Sequence, residues 1–212
     1  MKNTKVIHVI LIAVITIIIL FNQYQVSSLY KVIGGKNSGS SVKGITSVIP
    51  TGIPAVYGAE LNIAYDDIDP NNQRKADTTI SSLGQFDNSI SLDGELFDRY
   101  IKIGMQISCE YCCGAEAIIF SNGKAACGCA HSFAMRGLAK YLLKNHASEF
   151  TDDQILEELG KWKTLFFPGI MAQKAAVLKE KGIELNYINL ASNKYRGIEQ
   201  GKTSSGGMVG GC

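Results

Sequence analysis

Five cysteines and one histidine lie close together in the segments SCEYCCG and CGCAHS: Cys109, Cys112, Cys113, Cys127, Cys129 and His131. Thiolate and imidazole groups are the ligands that zinc, copper and similar transition metals prefer. A cluster of this density predicts a metal site first and a thiol–disulfide site second. The sixth cysteine, Cys212, is the last residue of the chain and lies outside the cluster.

The spacing within the cluster predicts how its side chains come together. Cys109 and Cys112 form a C-x-x-C pair, a turn that aims backbone N–H groups at two sulfurs. Asn122-Gly123 is a strong signal for a tight reverse turn, and the residues A-I-I-F before it are strand-like. We therefore predict a hairpin that returns the C-G-C-A-H segment, at the start of a helix, to the C-x-x-C knuckle.

This order of knuckle, hairpin and helix resembles the treble-clef zinc finger. The resemblance implies a bound zinc ion, with the helix amino terminus favouring the negative charge of the thiolates. A treble clef usually has a second C-x-x-C where this chain has C-x-C-x-H, so the second ligand pair stays open among Cys127, Cys129 and His131. The C-G-C piece is also similar to the PCYCGC-motif exported proteins, which implies that such clusters occur on exported chains.

The candidate ligands outnumber the four that a tetrahedral structural zinc needs. One zinc with a spare thiol, two metals with bridging sulfurs, and a copper(I) site are all consistent with the surplus. Met105 and Met135 could add thioether ligands to a copper site, although methionines at helical spacing are more typical of a core. Zinc is the expected cofactor, and copper(I) is the alternative.

Disulfide and redox interpretations compete with a metal site. An even number of cysteines favours disulfides in an exported chain, and pairs across the hairpin have better geometry than the neighbours Cys112 and Cys113. The alternative function is therefore an extracytoplasmic thiol–disulfide redox protein that uses the C-x-x-C pair. Cys212 could complete the site, link two chains or remain an exposed thiol.

An enzymatic role is not favoured by the sequence. The motifs G-x-S-x-G and H-E-x-x-H and the phosphate-binding loop do not occur, and we assign no catalytic residue. The net charge of +2 gives no basic excess that would indicate nucleic acid. The sequence names no protein partner.

The amino terminus predicts a membrane segment. The run 6–21 is apolar, and Lys2 and Lys5 precede it. With its flanks it approaches the roughly 17–25 residues of a membrane helix. The positive-inside rule then predicts a single-pass cell-membrane protein with its bulk outside the cytoplasm and the lipid bilayer as partner. A cleaved signal peptide is the rival interpretation.

We predict an α+β fold, with a transmembrane helix, a flexible tether, and a small mixed domain whose carboxy-terminal half is helical. The domain boundaries are a membrane anchor or signal peptide at 1–22, a linker at 23–50, a metal-binding domain at 51–190 and a Gly/Ser-rich tail at 191–212. Alternation and periodicity predict strands at 55–68 and 184–190, and helices at 92–107, 131–146, 151–167 and 169–181. The expected core comprises Phe133, Leu138, Leu142, Leu156, Trp162, Leu165, Ile170 and Val177.

Overall fold

Helices supply nearly all of the regular structure in the residues that this computed structural model describes, 48–200 and 208–209. These residues all belong to the unit Val42–Cys212. Two short 3-10 turns, Tyr65–Asp67 and Asn193–Tyr195, accompany the helices. The described α-helices, numbered here in chain order, are α1 Gly58–Leu61, α2 Gln73–Ser89, α3 Gly94–Gly104, α4 Ala130–Asn145, α5 Asp152–Phe166, α6 Pro168–Glu180 and α7 Tyr187–Ala191.

The predicted α+β class is wrong, because the described residues form a helical domain. Their β pairing is limited to two isolated antiparallel bridges, Ile107 with Ser192 and Ile119 with Ala125. A single extended segment cannot satisfy its backbone without a neighbouring strand, and the two segments predicted as strands find none in the described chain. They fold locally instead.

The first predicted strand, 55–68, forms α1 and a 3-10 turn. Its alternation is real, since Ile63 and Tyr65 are buried, but the burial arises in a compact turn rather than on a sheet. The second predicted strand, 184–190, runs into α7. Asn186 caps that helix by accepting a hydrogen bond from the Asn189 N–H at 2.8 Å.

Three of the predicted helices are confirmed as α4, α5 and α6, and a shorter α3 accounts for the fourth. The capping box expected at the start of α5 is present: Thr151 N–H donates to Gln154 Oε1, and Gln154 N–H donates to Thr151 Oγ1. Pro168, expected to end this helix, also begins α6. The predicted core is buried, except that Phe133 and Ile170 are only half-buried.

Helix α2 was not predicted, because its first turn is polar and resembles a loop. It lies against α4, and glycines allow the two backbones to approach closely. A Cβ atom added at Gly137 would fall well inside contact distance of the Leu83 carbonyl oxygen, and one added at Gly84 would collide with the Phe133 ring. This contact fixes α4, the helix that begins at the cysteine cluster.

The segment expected to cross a membrane, 6–21, lies outside the described residues, as do all of 1–47. Within the described part of the chain, every helix falls short of the length and apolar content that a bilayer crossing requires. The predicted localisation, a single-pass protein with an extracytoplasmic bulk, is contradicted to the extent that no described helix can cross a membrane. The predicted membrane helix itself lies outside the described residues.

The contact between α2 and α4 predicts the effect of one substitution. Gly137→Ala places a methyl group against backbone rather than against a flexible side chain, so we expect a loss of about 1–3 kcal/mol in the free energy of unfolding. Gly128→Ala is the control, since its added Cβ meets no heavy atom of the described chain within 4 Å. Urea denaturation of both variants measures the difference, and a Gly137→Ala variant as stable as wild type would refute the close contact.

Candidate functional site

The predicted reverse turn at Asn122-Gly123 is confirmed. Gly123 adopts a φ of 78°, a left-handed conformation that suits glycine. Asn122 Oδ1 accepts the Lys124 N–H at 3.0 Å, and the Phe120 N–H donates to the Lys124 carbonyl at 2.8 Å. The turn reverses the chain between the segment with Cys109, Cys112 and Cys113 and the segment with Cys127 and Cys129. The second segment therefore returns to the first.

Five cysteines converge in two overlapping groups. The sulfurs of Cys109, Cys112 and Cys129 lie within 4.8 Å of one another, and so do those of Cys113, Cys127 and Cys129. Cys129 therefore belongs to both groups. Its Sγ lies 3.4 Å from that of Cys109, with which it shares a hydrogen bond.

The sulfurs differ in their bonding. Cys113 and Cys127 form a disulfide across the hairpin, with their Cα atoms 6.6 Å apart. Cys112 is disulfide-bonded as well. Cys109 and Cys129 are free thiols. The C-x-x-C cysteines are thus not bonded to each other, and Cys212 lies outside the described residues.

Cys129 occupies the N-cap position of α4, where backbone N–H groups favour negative charge. Its Sγ accepts the Ser132 N–H at 3.4 Å. The hydrogen bond shared with Cys109 lowers the pKa of the Cys129 thiol, and His131 and Ser132 lower it further. The same shared hydrogen bond, together with burial, raises the pKa of Cys109. The shared hydrogen bond thus favours the proton on Cys109 and the negative charge on Cys129.

His131 lies beneath this pair, fully buried against the rings of Phe166 and Phe167. Its Nε2 is 2.7 Å from the carbonyl oxygen of Val209. A carbonyl can only accept, so Nε2 carries a hydrogen, while Nδ1 has no hydrogen-bond partner among the described residues. His131 joins neither sulfur group found in the described chain, and its role as a metal ligand stays a prediction.

A buried ionic cluster, which no motif in the sequence predicts, anchors the knuckle. Glu110, between the two knuckle cysteines, has a φ of 63° and a side chain that is only 5% exposed. Its Oε2 lies 3.0 Å from Lys163 Nζ on α5 and 3.6 Å from Lys174 Nζ on α6. Its Oε1 accepts the Gly197 N–H at 2.8 Å. One carboxylate thus ties the C-x-x-C segment to two helices and to the chain beyond α7.

The charges of this cluster respond to burial and to one another. Burial raises the pKa of Glu110, but attraction to Lys163 and Lys174 outweighs it, and the pKa lies below its ordinary value. Burial lowers the pKa of Lys163 to about 8. The sequence does carry a sign that these two lysines are buried. Lys163 lies four residues after Leu159, and Lys174 three residues after Met171, so each lysine shares a helix face with a buried apolar residue.

The remaining candidates from the sequence are Met105, Met135 and His146. Met135 is a core residue, whereas Met105 is 42% exposed. His146 caps the far end of α4, where it contacts Glu149 at 2.7 Å and Glu60 at 3.1 Å.

No known protein family, curated protein or solved structure matches this chain.

The ionic cluster predicts a large cost for losing its carboxylate. Glu110→Gln leaves Lys163 and Lys174 buried without their anion, which we expect to reduce the free energy of unfolding by about 3–5 kcal/mol. Glu116→Gln, at an exposed glutamate, should change it by less than about 0.5 kcal/mol. Chemical denaturation of the two variants makes the comparison, and similar stabilities would show that the ion pairs do not hold the knuckle.

The shared proton predicts the pH dependence of Cys129. Its depressed pKa keeps the thiolate present below the ordinary thiol value of about 8.5, so alkylation by iodoacetamide should persist at lower pH and fall only at the folded pKa. Cys109→Ala removes the largest cause of the depression and should move the inflection to higher pH. The rate is measured on the peptide 125–136 of the unreduced protein, in which Cys127 is blocked by its disulfide. An unshifted inflection would contradict the shared proton.

Proposed function

We propose that the reduced chain binds a thiophilic metal ion, zinc in the first place and copper(I) as the alternative, through the cysteines around Cys129. The observation that carries this proposal is the convergence of five sulfurs, from two separate segments, within two groups that share one atom. Sulfur ligands in this number are typical of zinc and copper(I) rather than of magnesium or calcium.

The spacing of the free pair supports a common ligand role. Zinc–sulfur bonds of about 2.3 Å in a tetrahedral site place neighbouring sulfurs about 3.8 Å apart. The 3.4 Å between the sulfurs of Cys109 and Cys129 lies near this value without an ion. A small adjustment of two side chains would therefore suffice for both to bind one metal.

The surrounding charges support a site for thiolates. The Cys112 backbone N–H and the Lys163 ammonium both act to lower the pKa of Cys109, although its bond with Cys129 and its burial have the larger, opposite effect. The Ser132 N–H donates to Cys129. Each metal-bound thiolate adds negative charge, and these donors with the buried lysine compensate part of it.

Oxidation and metal binding compete for the same sulfurs. A sulfur in a disulfide is not a thiolate, so the bond between Cys113 and Cys127 removes two candidate ligands, and the bond at Cys112 removes a third. Metal binding by the full cluster therefore requires reduction, and chain oxidised as in this structure should bind weakly.

Titration of the anaerobically reduced protein with Co²⁺ tests the proposal, since thiolate ligands give cobalt an intense sulfur-to-metal charge-transfer absorption. Zinc should displace the cobalt, and elemental analysis should give at least one metal ion per chain. More than one copper ion per chain would assign the site to copper handling. Absence of charge-transfer absorption in folded, reduced protein would overturn the proposal.

Two cysteine variants test the central place of Cys129. Cys129→Ser removes the sulfur that both groups share, so we expect it to weaken metal binding by more than about 100-fold, beyond the loss typical of residues outside the ligand set. Cys113→Ser affects one group only and should retain tighter binding than Cys129→Ser. Competition with a chromophoric chelator measures both affinities, and an equal loss in the two variants would contradict a shared ligand.

Thiol–disulfide exchange is a second candidate function, favoured by one observation. The bonded pair Cys113–Cys127 and the free pair Cys109 and Cys129 lie side by side, with Cys129 within 4.8 Å of both bonded sulfurs. The pair that would exchange with a partner is then the cross-hairpin pair rather than the predicted C-x-x-C pair.

A further inference from the structure

We propose that Cys129 transfers a disulfide between the exposed surface and the interior of the protein. The bond between Cys113 and Cys127 is exchanged internally for one between Cys109 and Cys129. This inference rests on thiol–disulfide exchange, the second candidate function, and is independent of metal binding.

The positions of the four sulfurs carry this inference. Cys113 is exposed, whereas Cys109 is fully buried. Cys129 is half-buried and stands between them, within 4.8 Å of the Cys113 sulfur and 3.4 Å from the Cys109 sulfur. Each transfer therefore joins two sulfurs that already lie within 4.8 Å of each other.

The attacking sulfur is prepared by its surroundings. Cys129 Sγ accepts the Ser132 N–H at the start of α4 and shares a hydrogen bond with Cys109. Hydrogen bonds to sulfur favour the thiolate, which is the form that attacks a disulfide. The bonded Cys113 sulfur is an exposed target within 4.8 Å, and Cys109 is placed to complete the transfer.

The exchange balances without an external oxidant. The Cys129 thiolate attacks the Cys113 sulfur, the Cys113–Cys127 bond breaks, and Cys127 leaves with the electron pair as a thiolate. Cys109 then attacks the Cys129 sulfur, its proton passes to a leaving thiolate, and Cys113 is released. The products are a Cys109–Cys129 disulfide, one thiol and one thiolate.

The transfer gives the protein an exposed cysteine, Cys113, at which exchange with other molecules takes place, and a more buried pair, Cys109 and Cys129, that keeps one disulfide. A thiol of a small molecule or of another protein can reach Cys113, whereas it cannot reach Cys109. The substrate class is therefore an accessible thiol or disulfide, and the interior pair holds the oxidised form away from further reaction.

Disulfide mapping of the wild-type protein tests the transfer. Samples equilibrated in glutathione redox buffers are quenched with acid, alkylated and cleaved after Lys, Arg and Glu. Cleavage after Glu110 separates peptide 103–110, with Cys109, from peptide 111–116, with Cys112 and Cys113, which fragmentation of the linked peptides tells apart. In the starting form peptide 125–136 is linked to 111–116, and the proposal expects a second population linked to 103–110. Absence of that second linkage at every potential would overturn the transfer.

Two variants locate the step in the chain. Cys109→Ser removes the second attack and should accumulate a Cys113–Cys129 bond with Cys127 alkylated, whereas Cys129→Ser should keep Cys113–Cys127 as the sole cross-hairpin bond. Circular dichroism first establishes that each variant is folded. An unchanged Cys113–Cys127 bond in folded Cys109→Ser would contradict the mechanism. If neither variant folds, the disulfide map of the wild-type protein tests the transfer alone.

The same mapping separates failure of the transfer from failure of the second candidate function. If Cys113 forms a mixed disulfide with glutathione but the linkage to 103–110 never appears, exchange at the surface stands and the internal transfer fails. If Cys113 forms no mixed disulfide and its bond to Cys127 persists at reducing potentials, both fail.

Discussion

The arrangement of the site depends on one buried carboxylate. Glu110 pairs with Lys163 and Lys174, and all three charges are buried away from water. An ion buried there without a partner would cost several kcal/mol. The knuckle, α5 and α6 must therefore come together for the domain to fold. Since Glu110 directly follows Cys109, this pairing also fixes the position of the segment 109–113. The Asn122-Gly123 turn then needs only to return Cys127 and Cys129 to that segment.

The chemistry of the cluster follows from Cys129 belonging to both sulfur groups. In the two functions proposed here, its thiolate is a metal ligand in the reduced chain and a nucleophile in the oxidised chain. One sulfur cannot take both roles at the same time. The hydrogen bond from the Ser132 N–H at the start of α4 favours its negative charge in either role. Metal content and redox state of the protein should consequently depend on each other.

Local signals in the sequence predict the parts of this structure that are locally determined. The Asn-Gly turn, the capping box at Thr151 and the apolar periodicity of α4 to α6 depend on neighbouring residues, and all were predicted. The strand at 55–68 was not correct because alternation reports burial on one side but does not report a partner strand. The salt bridge from Glu110 to Lys163 joins residues 53 positions apart. Such a contact leaves only a weak local trace, a lysine on an otherwise apolar helix face.

X-ray absorption spectroscopy of the zinc-loaded, reduced protein counts the atoms bound to the metal and measures their distances, and so determines whether the clustered sulfurs bind it. We predict a shell dominated by three or four sulfur atoms at about 2.3 Å, reduced by one sulfur in the Cys129→Ser variant. A shell of nitrogen and oxygen atoms alone, or zinc lost on gel filtration of folded reduced protein, would contradict it.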